Sequence, residues 1–347
     1  MSPEAAARRA TIEDVAAHAG VSVATVSRAL RGLPNVAEAT RARVADAAQL
    51  LSYRADPHAS RLAAGRTMTV AVGVPMLGRW YFSIVVAAIE AAVAVEGYDV
   101  LLFAVGTDEA RHRIVSNWSA LSRRVDGLIL VDVALDEEET AELAAQAAPI
   151  VTIGYSTEGL PSVRIDDEAG AAAATRHLLG LGHEAIAIVG DQPAATVPFV
   201  VPHARRVGYH SALEAAGITP SPELELPAAF TVADGVVAGR MMLSRAKPPT
   251  AVFAMSDEMA FGVLKAAREH GRNVPGDLSV VGFDDHELAD VVELTTIAQP
   301  VRRVGAVAAR LLLDRLVPGA GVEPEHIELP THLVVRGTTG RPSGGAA

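Results

Sequence analysis

The sequence predicts an N-terminal all-α helix-turn-helix module joined by a short linker to an α/β core of two doubly wound lobes. Three observations carry that prediction. Two short amphipathic helical stretches flank a tight glycine turn near the N-terminus. From Thr67 onward, short apolar β-rich runs alternate with alanine-rich helical stretches, the βαβ rhythm of parallel sheets covered on both faces. The chain has 347 residues, half of them apolar, and at roughly 150 residues per domain the alternating part fits two lobes better than one.

Thr11 is placed to cap a first helix, in which Ile12, Val15, Ala16 and Ala19 form one apolar stripe and which Gly20 ends. Ser22 is a second N-cap, opening a short helix Val23–Leu30 with Val26 and Leu30 toward the core. A third helix covers about Glu38–Leu51, with Val44, Ala48 and Leu51 inward. In helix-turn-helix geometry the first turn of the second helix enters the major groove. Val23 and Ala24 then present apolar surface to base edges, and Arg28 can fork onto a guanine. Ser22, Thr25 and Ser27 are candidates for phosphate contacts, with Thr11 and Asn35 as further positioning residues. For a bare helical pair, ordinary roles stand level with these: Ser22 as a cap only, Arg28 as a solvated charge.

In the linker, Asp56 can cap a helix with Pro57 at its first position, and Gly65 stops it. Such a segment is too short to be a stable helix alone in water. Locally it reads as an ordinary linker with an incidental leucine, Leu62.

Strands are expected at Met68–Val74, Val100–Phe103, Gly127–Val131, Ile150–Ile153, Ala185–Val189, Ala251–Ala254 and Ser279–Phe283. Helices are expected at about Phe82–Val95, Glu109–Arg123, Glu137–Gln146, Glu168–Leu181, Arg206–Ala216, Asp234–Arg245 and Asp257–His270. Ligands of open parallel sheets lie beyond the carboxyl ends of the strands. That rule makes Trp80, Tyr81, Phe82, Tyr155, Asp191, Ser256, Asp257, Asp284 and Asp285 cleft candidates, with Asp257 more in keeping with a helix cap and Asp166-Asp167 with a cap or lobe junction.

The string TIEDVAAHAGVSVATVSRAL, followed by the segment Asn35–Val44, resembles the DNA-binding domain of the lactose-repressor (LacI/GalR) family of bacterial transcription regulators. The likeness continues through SVRIDDEAGAAAATRHLLGLGH, RRVGY, PPTAVFAMSDEMAFG, VPGDLSVVGFDD and LVVRGTT, nearly the whole chain. It implies a periplasmic-binding-protein-like core with three crossovers, placed near Asp166, Gln299 and Leu329. It assigns residues 1–55 to the DNA-binding module, 56–66 to the hinge and 67–347 to an effector-binding and dimerisation core. The first lobe takes in about 67–166 and 300–328, the second about 167–299 and 329–340, and 341–347 form a tail. It further implies that Val23, Ala24 and Arg28 read bases. The hinge would fold on operator DNA, with Leu62 as a minor-groove wedge and Ala59 permitting close approach. Arg205, Phe230, Ser256 and Asp284 fall at effector-pocket positions. The chain departs from the family at Ala37, where a capping serine is usual, at Asp56, where an amide is usual, and at Trp80, where proline is common.

The formal charge of −11 counts against a nucleic-acid partner until it is divided. Residues 1–66 hold nine arginines against six acids, a local +3, and the remaining 281 hold 21 bases against 35 acids, a local −14. The absence of cysteine excludes disulfides and thiolate metal sites. No apolar run serves as an export signal or membrane span, so a cytoplasmic, nucleoid-associated protein is expected, with no membrane contact. No HExxH, GxSxG or strand-borne GxGxxG occurs, and no catalytic residue, metal or cofactor is assigned. The expected function is a homodimeric repressor of a near-palindromic operator, controlled by a sugar or nucleoside-like effector. The alternatives are a solute-binding protein without a regulatory role, and an activator or dual regulator.

Overall fold

A computed structural model describes residues 10–30, 34–53, 66–146, 148–190, 200–317 and 324–343. The chain divides into two compact units, Met1–Met68 and Thr69–Ala347.

In the first unit, α1 (Ile12–Ala19), α2 (Val23–Leu30) and α3 (Glu38–Leu50) enclose a core of their own, built from Val15, Ala16, Ala19, Val26, Ala29, Val44, Ala47 and Ala48. A reciprocal capping box starts α1: Asp14 N donates to Thr11 Oγ1 (3.4 Å), and Thr11 N donates to Asp14 Oδ2 (2.8 Å). Gly20, at φ 65°, ends it in the left-handed conformation that glycine adopts without cost. Leu30, expected in the core, is exposed, and Ala29 takes the inner position. Ala29 lies three residues after Val26 on the same helix face, and its small side chain suits the line where the three helices meet. Ala37 precedes α3 without any side-chain cap.

The second unit contains two six-stranded sheets. The first orders β2 (Asp99–Ala104), β1 (Thr69–Val74), β3 (Gly127–Val131), β4 (Ile150–Ile153), β5 (Ser162–Ile165) and β11 (His326–Leu329), all parallel. The second orders β7 (Glu225–Leu226), β6 (Ile186–Val189), β8 (Ala251–Ala254), β9 (Ser279–Asp284), β10 (Thr295–Ala298) and β12 (His332–Val334), with only β12 antiparallel. The inner strands β3, β4, β6, β8 and β9 are buried along their whole length, so they read as continuous apolar runs and not as alternation.

Three helix pairs cover these sheets: α4 (Trp80–Ala94) on α12 (Val301–Arg315), α8 (Asp167–Gly180) on α9 (Val200–Ala215), and α10 (Val232–Leu243) on α11 (Asp257–Glu269). Gly208 lets α9 approach α8, since a Cβ there would lie 2.1 Å from the Glu168 carbonyl oxygen. The chain passes between lobes after β5, after β10 and after β11. The helix expected over Glu109–Arg123 is broken into α5 (Asp108–Ser116) and α6 (Trp118–Leu121). At the break, Asn117 Nδ2 donates back to the Arg113 carbonyl (2.9 Å), and Trp118 turns its ring into the core. α7 (Glu137–Ala144) completes the first lobe.

The C-terminal segment is stitched to the second lobe. Thr338 Oγ1 donates to the Val280 carbonyl (2.7 Å), and Arg336 pairs with Asp285 (2.7 Å). His183, buried, lies 2.8 Å from the Gly340 carbonyl and 2.9 Å from Thr250 Oγ1. His177 meets Thr339 Oγ1 at 3.0 Å. Both histidines are used in holding the tail.

Candidate functional site

Two regions bring the sequence candidates together, one in each unit. In the first unit, Ser22 Oγ accepts from Thr25 N (3.2 Å) and meets Thr25 Oγ1 at 2.9 Å, which shapes the first turn of α2. Val23 and Ala24 stand exposed on that turn, while Thr25 and Ser27 are half-buried. Arg28 is exposed, and its Nη2 donates to the Pro34 carbonyl (3.1 Å). Asn35 adopts φ 67° in the connection to α3. The surface offered by α2 is thus apolar at its tip and hydroxyl-bearing beside it. Ala59 and Leu62 lie outside the described residues, as does Asp191.

In the second unit, the carboxyl ends of both sheets face a common cleft, lined among others by Met76, Tyr81, Asp132, Gly154, Asp167, Arg205, Phe230, Ser256, Asp284 and Gln299. The cleft is narrow, with about 50 Å³ of room for water-sized occupants. Arg205 is its hub. Its Nε donates to Asp167 Oδ1 (2.8 Å), Nη1 donates to the Met255 carbonyl, and Nη1 lies 3.9 Å from Asp284. The guanidinium also sits 3.5 Å above the Phe283 ring centroid, so it is held from several sides at 4% exposure. Gln299, at the second crossover, donates from Nε2 to Asp284 Oδ1 (2.7 Å).

Burial raises Asp167 and Asp284 above the ordinary carboxylate range, and Arg205 pulls both back in part. Asp132 is pushed up to about 8, by burial first and by Asp167 next. Its folded value exceeds its unfolded one, so the stability of the neutral form is full at low pH and is lost as pH rises toward 8. Asp132→Asn is therefore expected to open a Tm gap over the parent chain that widens from pH 5 to pH 8 and reaches roughly 5 °C, at about 2–4 °C per kcal/mol. Thermal scans of the full chain across that range check this, and a gap independent of pH would contradict it.

Several sequence expectations need correction here. Trp80 does not line the cleft: α4 begins at Trp80, and the helical step sends its ring onto His286 (4.6 Å between centroids) while Tyr81 and Phe82 turn inward. That contact and Arg79, which lies 3.9 Å from Glu258, connect the two lobes. Tyr155 also points elsewhere, its hydroxyl oxygen accepting from Leu135 N (3.0 Å). Gly154, at φ 95°, turns the backbone before it and leaves that strand end to Asp132. Ser256 lines the cleft and also caps α11, accepting from Met259 N (3.3 Å). Asp257, expected as that cap, instead holds the β9–β10 region, accepting from Thr296 Oγ1 and His286 N, both at 2.7 Å. Asp285 pairs with Arg336. Asp166 is the cap of α8 (Ala169 N, 2.8 Å), which frees Asp167 for Arg205.

Asp132, Asp167 and Gln299 were not among the expected ligand contacts. Asp132 directly follows β3, so the strand-end rule applied to every strand would have found it. Gln299 carried only the crossover as its signal.

Residues 11–56 match the lacI family of bacterial regulatory proteins, and residues 175–339 match the periplasmic binding protein-like domain. Catabolite control protein A of Priestia megaterium is 34% identical over 334 residues, covering 95% of this chain and 99% of that protein. Among solved structures, a CelR–cellobiose complex aligns at a TM-score of 0.68 and 33% identity over 95% of this chain and all of the other. A lac repressor dimer bound to operator and the anti-inducer ONPF aligns at 0.84 and 31% identity over 96% of this chain and all of the other.

Proposed function

The chain belongs to the lacI family of bacterial regulatory proteins, and from that premise we propose a homodimeric repressor whose hold on a near-palindromic operator is set by a sugar or nucleoside-like ligand in the Arg205 cleft. The observation that carries this reading is the cleft itself. A guanidinium and several carboxylates converge with Tyr81 and Phe230 at the carboxyl ends of two sheets, a donor and acceptor set suited to hydroxyls beside ring surfaces. The relative crystallised with cellobiose and the operator-bound lac repressor support both halves.

Val23, Ala24 and Arg28 are the proposed base readers, with Thr11, Ser22, Thr25, Ser27 and Asn35 positioning the unit on phosphates. Ala59 and Leu62 are the proposed minor-groove contacts. In the cleft, Tyr81, Phe82, Arg205, Phe230, Ser256 and Asp284 are the proposed ligand contacts, joined by Asp132. Because about 50 Å³ of room is too small for a sugar ring, a bound ligand requires the lobes to part, and parting them changes the separation of two hinge segments in a dimer. The coupling free energy for such a device is typically about 1–3 kcal/mol.

No helix among the described residues is long and apolar enough to cross a membrane, in keeping with a regulator acting on DNA in the cytoplasm. The test is an operator selected from random DNA, followed by titration of the bound full chain with sugars and nucleosides. Release by one of them, at a concentration that also raises Tm, is expected. Failure to select any operator would reject the reading.

A further inference from the structure

We infer that Asp132 is the group by which the cleft chooses its ligand, and that the ligand it favours carries a protonated amine beside its hydroxyls. The inference rests on the reading of the cleft as the effector site and adds the chemical class of the effector.

The argument begins with charge pairing inside the cleft. Its lining holds three arginines and four carboxylates. Arg164 is engaged by Glu328 (2.7 Å), and Arg79 stands 3.9 Å from Glu258. Arg205 is bound to Asp167 (2.8 Å), and Asp284 has both Gln299 and the edge of Arg205. Asp132 has none of these. The residue is 6% exposed, and its Oδ1 is buried with no hydrogen-bond partner among the described residues. A buried carboxyl oxygen without a partner is costly, so its place in the cleft suits a donor carried by a ligand.

The position is built and held. Asp132 N donates to the Ile153 carbonyl (2.8 Å), and the residue adopts φ 49°, so backbone geometry fixes where the side chain goes. Gly154 on the neighbouring strand end supplies the space: a Cβ at that position would fall 1.6 Å from Asp132 Oδ1. The charged and titratable groups facing Asp132 are Asp167 on α8, Asp284 at the end of β9, Arg205 on α9 and Tyr81 on α4. One cation thus serves three carboxylates.

A neutral hydroxyl would donate one hydrogen bond and leave the Asp132 carboxyl protonated. An ammonium donates up to three hydrogen bonds and brings the positive charge against which Asp132 can ionise. With no cation beside it, burial favours the protonated carboxyl of Asp132. An arriving ammonium reverses that preference, and the carboxyl proton passes to buffer.

The experiment uses the full chain with matched pairs of probes: glucosamine against glucose, galactosamine against galactose, and mannosamine against mannose. Calorimetric titration and thermal shift are run on the parent chain and on Asp132→Asn. At least one amino sugar is expected to bind roughly tenfold or more tighter than its neutral partner, and Asp132→Asn is expected to erase that preference. Titration in two buffers of different ionisation enthalpy should show proton release on binding to the parent chain, a readout that does not depend on the variant folding. Equal or tighter binding of the neutral sugars, an amine preference that survives Asp132→Asn, or no amino-sugar binding would each overturn the proposal. If neutral sugars bind and release operator, the effector reading stands and only the role of Asp132 falls. If an operator is bound and none of the sugars or nucleosides loosens it, the effector reading itself falls.

Discussion

Arg205→Ala is expected to leave a protein that binds its operator as tightly as the parent and no longer releases it when ligand is added. Among the described residues the guanidinium is the one cation shared by Asp132, Asp167 and Asp284, and it is tied to Asp167, the Met255 carbonyl and the Phe283 face. Truncating one partner of a buried, hydrogen-bonded charge pair costs about 2–5 kcal/mol, which is roughly 30- to several-thousand-fold in ligand affinity. The same change removes the guanidinium that faces three buried carboxylates, so the second unit should also lose stability, most strongly at high pH where they would ionise.

The proposed operator contacts lie in the first unit, whose core of Val15, Val26 and Val44 contains nothing from the cleft. Arg205→Lys separates charge from geometry: it keeps the cation and loses the planar fork, so stability should largely return while ligand affinity stays low. Anisotropy titrations on labelled operator, with and without ligand, check both variants. A ligand response retained in Arg205→Ala would place the effector site elsewhere.

Arg28→Ala is expected to lower affinity for the selected operator by roughly 10- to 100-fold per half-site and to relax the preference at one base pair. A bidentate contact to guanine is worth about 1–3 kcal/mol of discrimination. In the absence of DNA the guanidinium rests on the Pro34 carbonyl (3.1 Å), an exposed contact that competes weakly with a base edge. Thr25→Ala provides the contrast. Its hydroxyl pairs with Ser22 (2.9 Å) beside the exposed tip of α2, and a phosphate-side group should weaken all sequences alike. Binding of each variant to a library of single-base operator changes distinguishes the two outcomes. A uniform loss for Arg28→Ala would remove it from the base readers.

The divided charge gains a physical meaning from these expectations. The chain is acidic as a whole, and its surplus of positive charge lies within residues 1–66. The acidic remainder is the part that carries the cleft, where buried carboxylates outnumber their guanidinium partner.

Local sequence was enough to set the helices of the first unit and the inner strands of the second. A capping box, a glycine in the left-handed conformation and continuous apolar runs each act within a few residues, so their signal survives without knowledge of the rest of the chain. The crossovers and Arg205 came from the resemblance of long motifs to a known family. Other features needed the tertiary structure. Trp80 and Tyr81 are neighbours in sequence, yet one packs on His286 and the other lines the cleft, because the first turn of α4 rotates them apart. Tyr155 was drawn off by the turn at Gly154, and Asp132 entered the space that turn left open. Which side chain occupies a strand end depends on the phase of the preceding strand and on what a neighbouring strand leaves vacant, and both are decided by packing between residues far apart in the chain.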